Sequence, residues 1–269
     1  MQTDELVLTD RDLALLAALS EQRIAVIAQA AHWLGVSEST AAKRVRRLRE
    51  AGLVENRRVF ERGSPMVRIT GVGLKRIGSS LGRPGQKLDE YGHDVGVGWV
   101  WTAAREGAFG DMTKVHSERS MRSHDARLER MSAGARLSEP EDELRGVGFG
   151  AWRPDGRPER HYPDLLLESA GGHRIAVELE LSSKGQRRLD RIMDAYASDL
   201  RIDAVLYLVP DPRLAANVRA AAGRAGIADV VHVRRIADAE IGGVVSESGR
   251  GRRATISKPR NRSQLEAGR

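Results

Sequence analysis

Apolar residues recur at helical spacing three times within the first 52 positions. Leu13, Leu15, Leu16 and Leu19 fall on or near one face of a helix predicted over residues 10–19, with Thr9 placed to cap it. Ile27, Ala30, Ala31 and Leu34 mark a second helix over 24–34. Gly35-Val36-Ser37 then supplies a terminating glycine, an apolar plug and a new cap. The third helix, 38–51, carries the stripe Ala41, Val45 and Leu48 and stops at Gly52. Beyond Leu53 two strand-like runs, 54–60 and 66–70, flank a turn at Gly63-Ser64-Pro65.

Residues 79–86 contain Gly82, Pro84 and Gly85 with small polar neighbours, the mark of a linker. A helix is predicted over 89–105 despite Gly92, Gly96 and Gly98, with Trp99 and Trp101 in the core. A strand over 112–118 and a charged helix over 120–131 follow. The Gly- and Pro-rich stretch to Arg160 reads as loop. Next comes a hairpin, in which Leu165-Leu166-Leu167 is joined through Gly171-Gly172 to the run 173–181. In that second run Ile175, Val177, Leu179 and Leu181 point one way, and Ala176, Glu178, Glu180 and Ser182 the other. A helix over 184–198 (buried face Leu189, Ile192, Met193, Tyr196), a strand over 204–209, a helix over 212–226 and a strand over 230–233 complete the order. Alternation of this kind implies a partly parallel sheet covered by helices.

Charge adds a partner class. Lys and Arg number 44 against 37 Asp and Glu, a net charge of +7, which favours a polyanion. The first 82 residues hold 13 basic and 9 acidic side chains; residues 247–269 hold 7 and 2, with hardly any large apolar residue. The whole of 238–269 is therefore expected to be a basic disordered tail, either an inert terminus or a non-specific phosphate tether. Cysteine is absent, which excludes disulfides, thiol catalysis and thiolate metal sites and fits a reducing cytoplasm. No apolar run is long enough to span a bilayer, and Met1-Gln2-Thr3-Asp4-Glu5 lacks a secretory layout, so a cytoplasmic protein without a membrane partner is expected. Aromatics at 4% supply few base-stacking platforms.

Opposite the apolar stripe of the third helix lie Ser39, Lys43, Arg46 and Arg47, with Thr40 beside them. Arg57, Arg58, Arg62 and Arg68 decorate the hairpin. A helix fits the major groove, its cations neutralise phosphates, and Ser, Thr and Arg reach base edges. Three helices and a basic hairpin follow the plan of a winged helix-turn-helix that binds double-stranded DNA and needs no cofactor to do so. The same module also serves as a protein-binding unit.

In the second part, Tyr162-Pro163-Asp164 opens one strand and Glu178-Leu179-Glu180 lies on the next. A helix, a strand, a Pro-Asp strand, a Glu-x-Glu strand, a helix and further strands resemble the PD-(D/E)XK restriction-endonuclease-like fold. With the N-terminal module, residues 9–237 resemble the replication-relaxation family of plasmids and integrative conjugative elements. His93-Asp94, Ser117-Glu118-Arg119 with Arg122, and Tyr196 also carry that likeness. The resemblance implies an α+β chain of two domains: a winged helix-turn-helix over 1–82, a linker over 83–88, and an α/β nuclease-like mixed sheet flanked by helices over 89–237. It also implies an accessory role in replication or mobilisation of the element, beside a relaxase or helicase.

In nucleases of this fold an aspartate and a glutamate hold Mg²⁺, the places matched by Asp164 and Glu178. The lysine expected two residues after the glutamate is Glu180 here, a third carboxylate that repels a phosphodiester. Lys184 could reach back, or could contact phosphate beside Arg187, Arg188 and Arg191. Three readings stand: a DNA-binding accessory protein with a silent nuclease-like domain; a Mg²⁺-dependent endonuclease using Asp164, Glu178, Glu180 and Lys184; and a winged-helix transcriptional regulator. For Glu178 and Glu180 the plainer alternative is a strand with one wet face. The histidines, His93, His161 and His173 among them, read as surface or structural residues. Neither a Gly-Lys-Ser/Thr phosphate loop nor a Gly-x-Ser-x-Gly elbow is present.

Overall fold

The computed structural model describes residues 6–58, 65–85, 88–135 and 145–242, and among them eight α-helices combine with mixed sheets in an α+β architecture. Thr9 opens α1 (Asp10–Glu21) through a capping box. Its hydroxyl accepts from the Asp12 N–H at 3.4 Å, and the Asp12 carboxylate accepts from the Thr9 N–H at 2.7 Å. After the two-residue β1 (Ala25–Val26), α2 (Ile27–Leu34) ends at Gly35, whose φ of +65° is the left-handed conformation that favours glycine. Ser37 caps α3 (Glu38–Glu50), and Ala41, Val45 and Leu48 are fully buried, as their spacing predicts. Arg44 of α3 binds the buried Asp12, so that guanidinium serves the fold. β2 (Val54–Arg57), β3 (Met66–Ile69) and α4 (Gly71–Arg76) follow, with β3 between β1 and β2 in an antiparallel sheet.

Two local expectations shift. The second helix begins at Ile27 because Ala25 and Val26 pair with Val67 and Met66. Leu13 is 38% exposed; α1 buries Leu15, Leu16 and Leu19 instead. Positions 59–64, Arg62 among them, lie outside the described residues.

The second unit contains α5 (Tyr91–Arg105), β4 (Met112–Ser117), α6 (Glu118–Ala135), β5 (Val147–Trp152), β6 (Pro158–His161), β7 (Leu165–Ser169), β8 (Arg174–Leu179), α7 (Gln186–Ser198), β9 (Ala204–Val209), α8 (Pro212–Arg224) and β10 (Val231–Arg235). Its main sheet has the order β10-β9-β8-β7-β4. β7 runs antiparallel to both neighbours, while β8, β9 and β10 are parallel. Leu165, Leu167, Val177 and Leu179 face the α5 side; Ala176, Val205 and Tyr207 face α7 and α8. Burying each of these leucines fully is worth about 1.5–3 kcal/mol.

Part of the stretch read as loop is a hairpin: β5 and β6 pair antiparallel, and Val147 is buried in the cluster of α7 and α8. The segment expected to be tail from 238 is structured at its start: Asp238–Ile241 form a 3₁₀ turn that buries Ile241 completely. Residues 243–269 lie outside the described residues. Among the described residues no helix is long and apolar enough to cross a membrane.

The segment read as linker does not hold the two units apart. Arg83 pairs with Glu55, and the Pro84 carbonyl accepts from Arg68 Nη1 at 3.4 Å. One apolar cluster joins Ala18, Ile24, Val26 and Met66 to Tyr91, Val95, Trp101 and the sheet. Gly98 explains how a glycine sits within α5: a Cβ there would lie 2.5 Å from Gln29 Nε2 of α2, which donates to the Val95 carbonyl at 2.9 Å. The lost helix propensity is exchanged for close packing of α2 on α5.

Candidate functional site

Two surfaces carry the candidate residues. On α3 the side chains of Ser39, Thr40, Lys43, Arg46 and Arg47 are all exposed. Ser37 Oγ lies 3.1 Å from Ser39 Oγ and 3.0 Å from Thr40 Oγ1, so both hydroxyls join the helix cap. Arg57 and Arg58 are exposed at the end of β2. Arg68 is the exception. It lies on the central strand β3, is 8% exposed, and donates to Glu55 Oε2 at 2.5 Å. That guanidinium neutralises a partner inside the sheet and does not join the outer face.

The other surface is a cleft of about 370 Å³ where the two units meet. It collects Asp164, Glu178, Glu180 and Lys184, the four residues expected to act together. It also collects His93 and His161, which sequence reading left as structural. Asp164, just before β7, accepts from the Leu179 N–H at 2.8 Å, and His93 Nε2 from α5 lies 3.2 Å from the same oxygen. Glu178 on β8 is 2% exposed; its Oε1 lies 2.5 Å from His161 Nε2 and accepts from the Tyr196 hydroxyl at 2.6 Å. Glu180, one residue past the strand, has Oε2 at 2.6 Å from Lys184 Nζ.

Burial and charge compete in this cleft. Burial works to raise Asp164, yet His93, Lys184 and the Leu179 N–H outweigh it and hold the carboxyl below its ordinary range. Burial likewise opposes the His93 imidazolium, but Asp164 lifts it to about 9. Glu180 is pushed up by burial, with Glu178 and Asp164 adding to the effect against Lys184. Lys184 is raised because the carboxylates of Glu178, Glu180 and Asp164 prevail over its burial. Tyr196 is raised well above its usual range by burial and by Glu178.

Each of the three carboxylates thus meets a nitrogen of the chain itself: Asp164 meets His93, Glu178 meets His161, and Glu180 meets Lys184. Among the described residues no group of three or more His, Asp or Glu side chains is placed to share a metal ion. Asp164, Glu178 and Glu180, as oriented here, do not fit a ready divalent-cation site; their charge is met internally.

A second network binds the units together. Ser117 Oγ donates to Glu21 at 2.6 Å; Arg119 donates to the carbonyls of Ser20, Gln22 and Gly82; Arg23 reaches Glu90 at 2.8 Å and Glu118 at 2.5 Å. Asp94, buried beside Arg23, is raised to about 7 by burial, and one of its oxygens has no hydrogen-bond partner among the described residues. The run Ser117-Glu118-Arg119 is therefore a clamp between units, a role no spacing in the sequence reveals. No protein-family model matches the chain, and neither a curated protein nor a solved structure matches it.

Proposed function

We propose that the chain is a double-stranded-DNA-binding accessory protein whose second unit is nuclease-like in plan and silent in chemistry. The observation that carries this reading is the exposed basic face of α3, Lys43, Arg46 and Arg47, together with exposed Arg57 at the end of β2 and Arg58 just past it. Three helices with a tight turn before the third, then a hairpin, form a winged helix-turn-helix; α3 enters the major groove and the wing contacts phosphate. In the second unit, a five-stranded order in which β7 runs antiparallel to both neighbours supports a restriction-endonuclease-like sheet. The silent reading is supported by the cleft, where His93, His161 and Lys184 already meet the carboxylates. By its resemblance over residues 9–237 to the replication-relaxation family, the protein acts in replication or mobilisation of a plasmid or conjugative element, beside a relaxase or helicase. Replacing Lys43, Arg46 and Arg47 by alanine tests the reading: duplex binding in a gel shift at moderate salt is lost, and unchanged affinity would remove α3 from the interface.

One observation favours a second reading, a Mg²⁺-dependent endonuclease: Lys184 Nζ sits among the carboxylates, within reach of a place a strand lysine would occupy. Incubation of supercoiled plasmid with Mg²⁺ or Mn²⁺ separates the two. The silent reading expects intact plasmid; nicking abolished by Asp164→Ala or Glu178→Ala in folded protein would establish the enzyme.

A further inference from the structure

Beside the wing strand, where the two units join, a notch of about 380 Å³ is lined by Arg23, Arg83, Arg119, Arg122 and Ser123 together with the 81–85 segment. No carboxylate among the described residues lines it. Two of the acids around it are shared: Glu55 serves both Arg68 and Arg83, and Glu118 serves both Arg23 and Arg122, while Glu90 gives Arg23 a second carboxylate. Arg119 donates to the main-chain carbonyls of Ser20, Gln22 and Gly82, which hold the guanidinium in place, while Glu21 and Glu118 act on it through space. The side chains of Arg83 and Arg122 are 56% and 52% exposed, open to a ligand. Arg57 follows Glu55 by two positions on β2, so it emerges on the face to which Arg83 is tied. On the other side the notch shares Arg23, Arg119 and Arg122 with the cleft that holds Asp164 and Glu178.

We infer that this notch takes a phosphodiester backbone: nucleic acid leaving the wing runs across Arg83 and Arg122 towards the cleft of the second unit. The inference rests on the DNA-binding reading above and adds a path to it. Guanidinium groups present planar, fixed donors that match a phosphate, and a recess with low-dielectric walls concentrates their field. The backbone can belong to flanking duplex or to a single strand, because the groups that recognise it read phosphate alone.

The test uses the full chain and three labelled DNAs: a short duplex covering α3 and the wing, the same duplex extended by one helical turn, and the short duplex with a single-stranded tail. Wild-type protein is expected to bind at least one lengthened DNA about tenfold more tightly than the short one, with a log–log salt slope steeper by about two. The lengthened DNA that gains identifies the source of the backbone. The Arg83→Gln, Arg122→Gln double variant should lose that gain and keep the short-duplex affinity; Arg83→Lys, Arg122→Lys, which retains charge, should keep most of it. Equal wild-type affinity for all three DNAs, or a gain that survives in the glutamine variant, overturns the notch while leaving α3 as the DNA contact. Absence of binding to the short duplex, or binding indifferent to the α3 alanine variant, overturns the underlying reading instead.

Discussion

Lys184 Nζ lies 2.6 Å from Glu180 Oε2, both residues standing in the short segment between the end of β8 and the start of α7. Glu180 is 5% exposed, and Lys184 shows only 21% of its side chain to solvent. Removing the ammonium strands a buried carboxylate. Lys184→Met should therefore cost about 2 kcal/mol of stability, below the range for fully buried pairs because the site is partly wet. Adding Glu180→Gln should restore most of that loss. Urea titration of the two single variants and the double variant checks the coupling, and additive effects would refute it.

Stability should fall as pH rises from about 4 to 9, because Asp94 and His93, like Glu180, favour their protonated forms in the fold. Asp94 is raised from 3.8 to about 7 by burial, with Glu90 and Glu118 adding and Arg23 and His93 opposing, so ionising it costs stability across that interval. His93 is raised from 6.5 to about 9 beside Asp164; its contribution is complete below pH 6.5 and disappears as pH climbs through 9. Asp164, held low, contributes above its ordinary range and loses that contribution only in acid. Urea midpoints measured along a pH series should flatten below 7 in Asp94→Asn and above 6.5 in His93→Gln.

Duplex binding should weaken steeply with salt, since each phosphate neutralised by α3 or the wing releases counterions. The Lys43, Arg46, Arg47 alanine variant should lower the slope by about three and leave the thermal midpoint unchanged, because those side chains are exposed. A flat wild-type salt profile, measured by fluorescence anisotropy, would point to a protein partner.

Arg68 gives the opposite pattern. Arg68→Met should leave DNA affinity intact and destabilise the chain by about 1–3 kcal/mol, since Glu55 loses a buried partner and retains only the exposed Arg83. Affinity and unfolding measured on one preparation separate the two effects.

Much of this protein could be read along the chain. Thr9 and Ser37 cap the helices they precede because a cap is satisfied within three residues of itself. The alternation from Ile175 to Ser182 predicts the two faces of β8 because strand geometry repeats every second residue. The β5–β6 hairpin escaped that logic: Gly148, Gly150 and Pro154 break the apolar alternation, and Val147 finds its cover only on α7 and α8. Arg68 escaped as well, since an arginine in a short strand reads as outward until Glu55 and Pro84 close over it.

Sequence by itself determined most of the longer helices and strands, the caps, the acidic strand and the basic helix face, all of which depend on neighbours within a turn or a pleat, but not β1, α4 or the β5–β6 hairpin. Tertiary structure decided which charges meet. His93 reaches Asp164 across 71 positions, Arg23 reaches Glu118 across 95, and Arg119 reaches Ser20 across 99. Electrostatic attraction acts through space and burial strengthens it, so pairings between distant residues exist only after the chain has packed, and no local pattern encodes them.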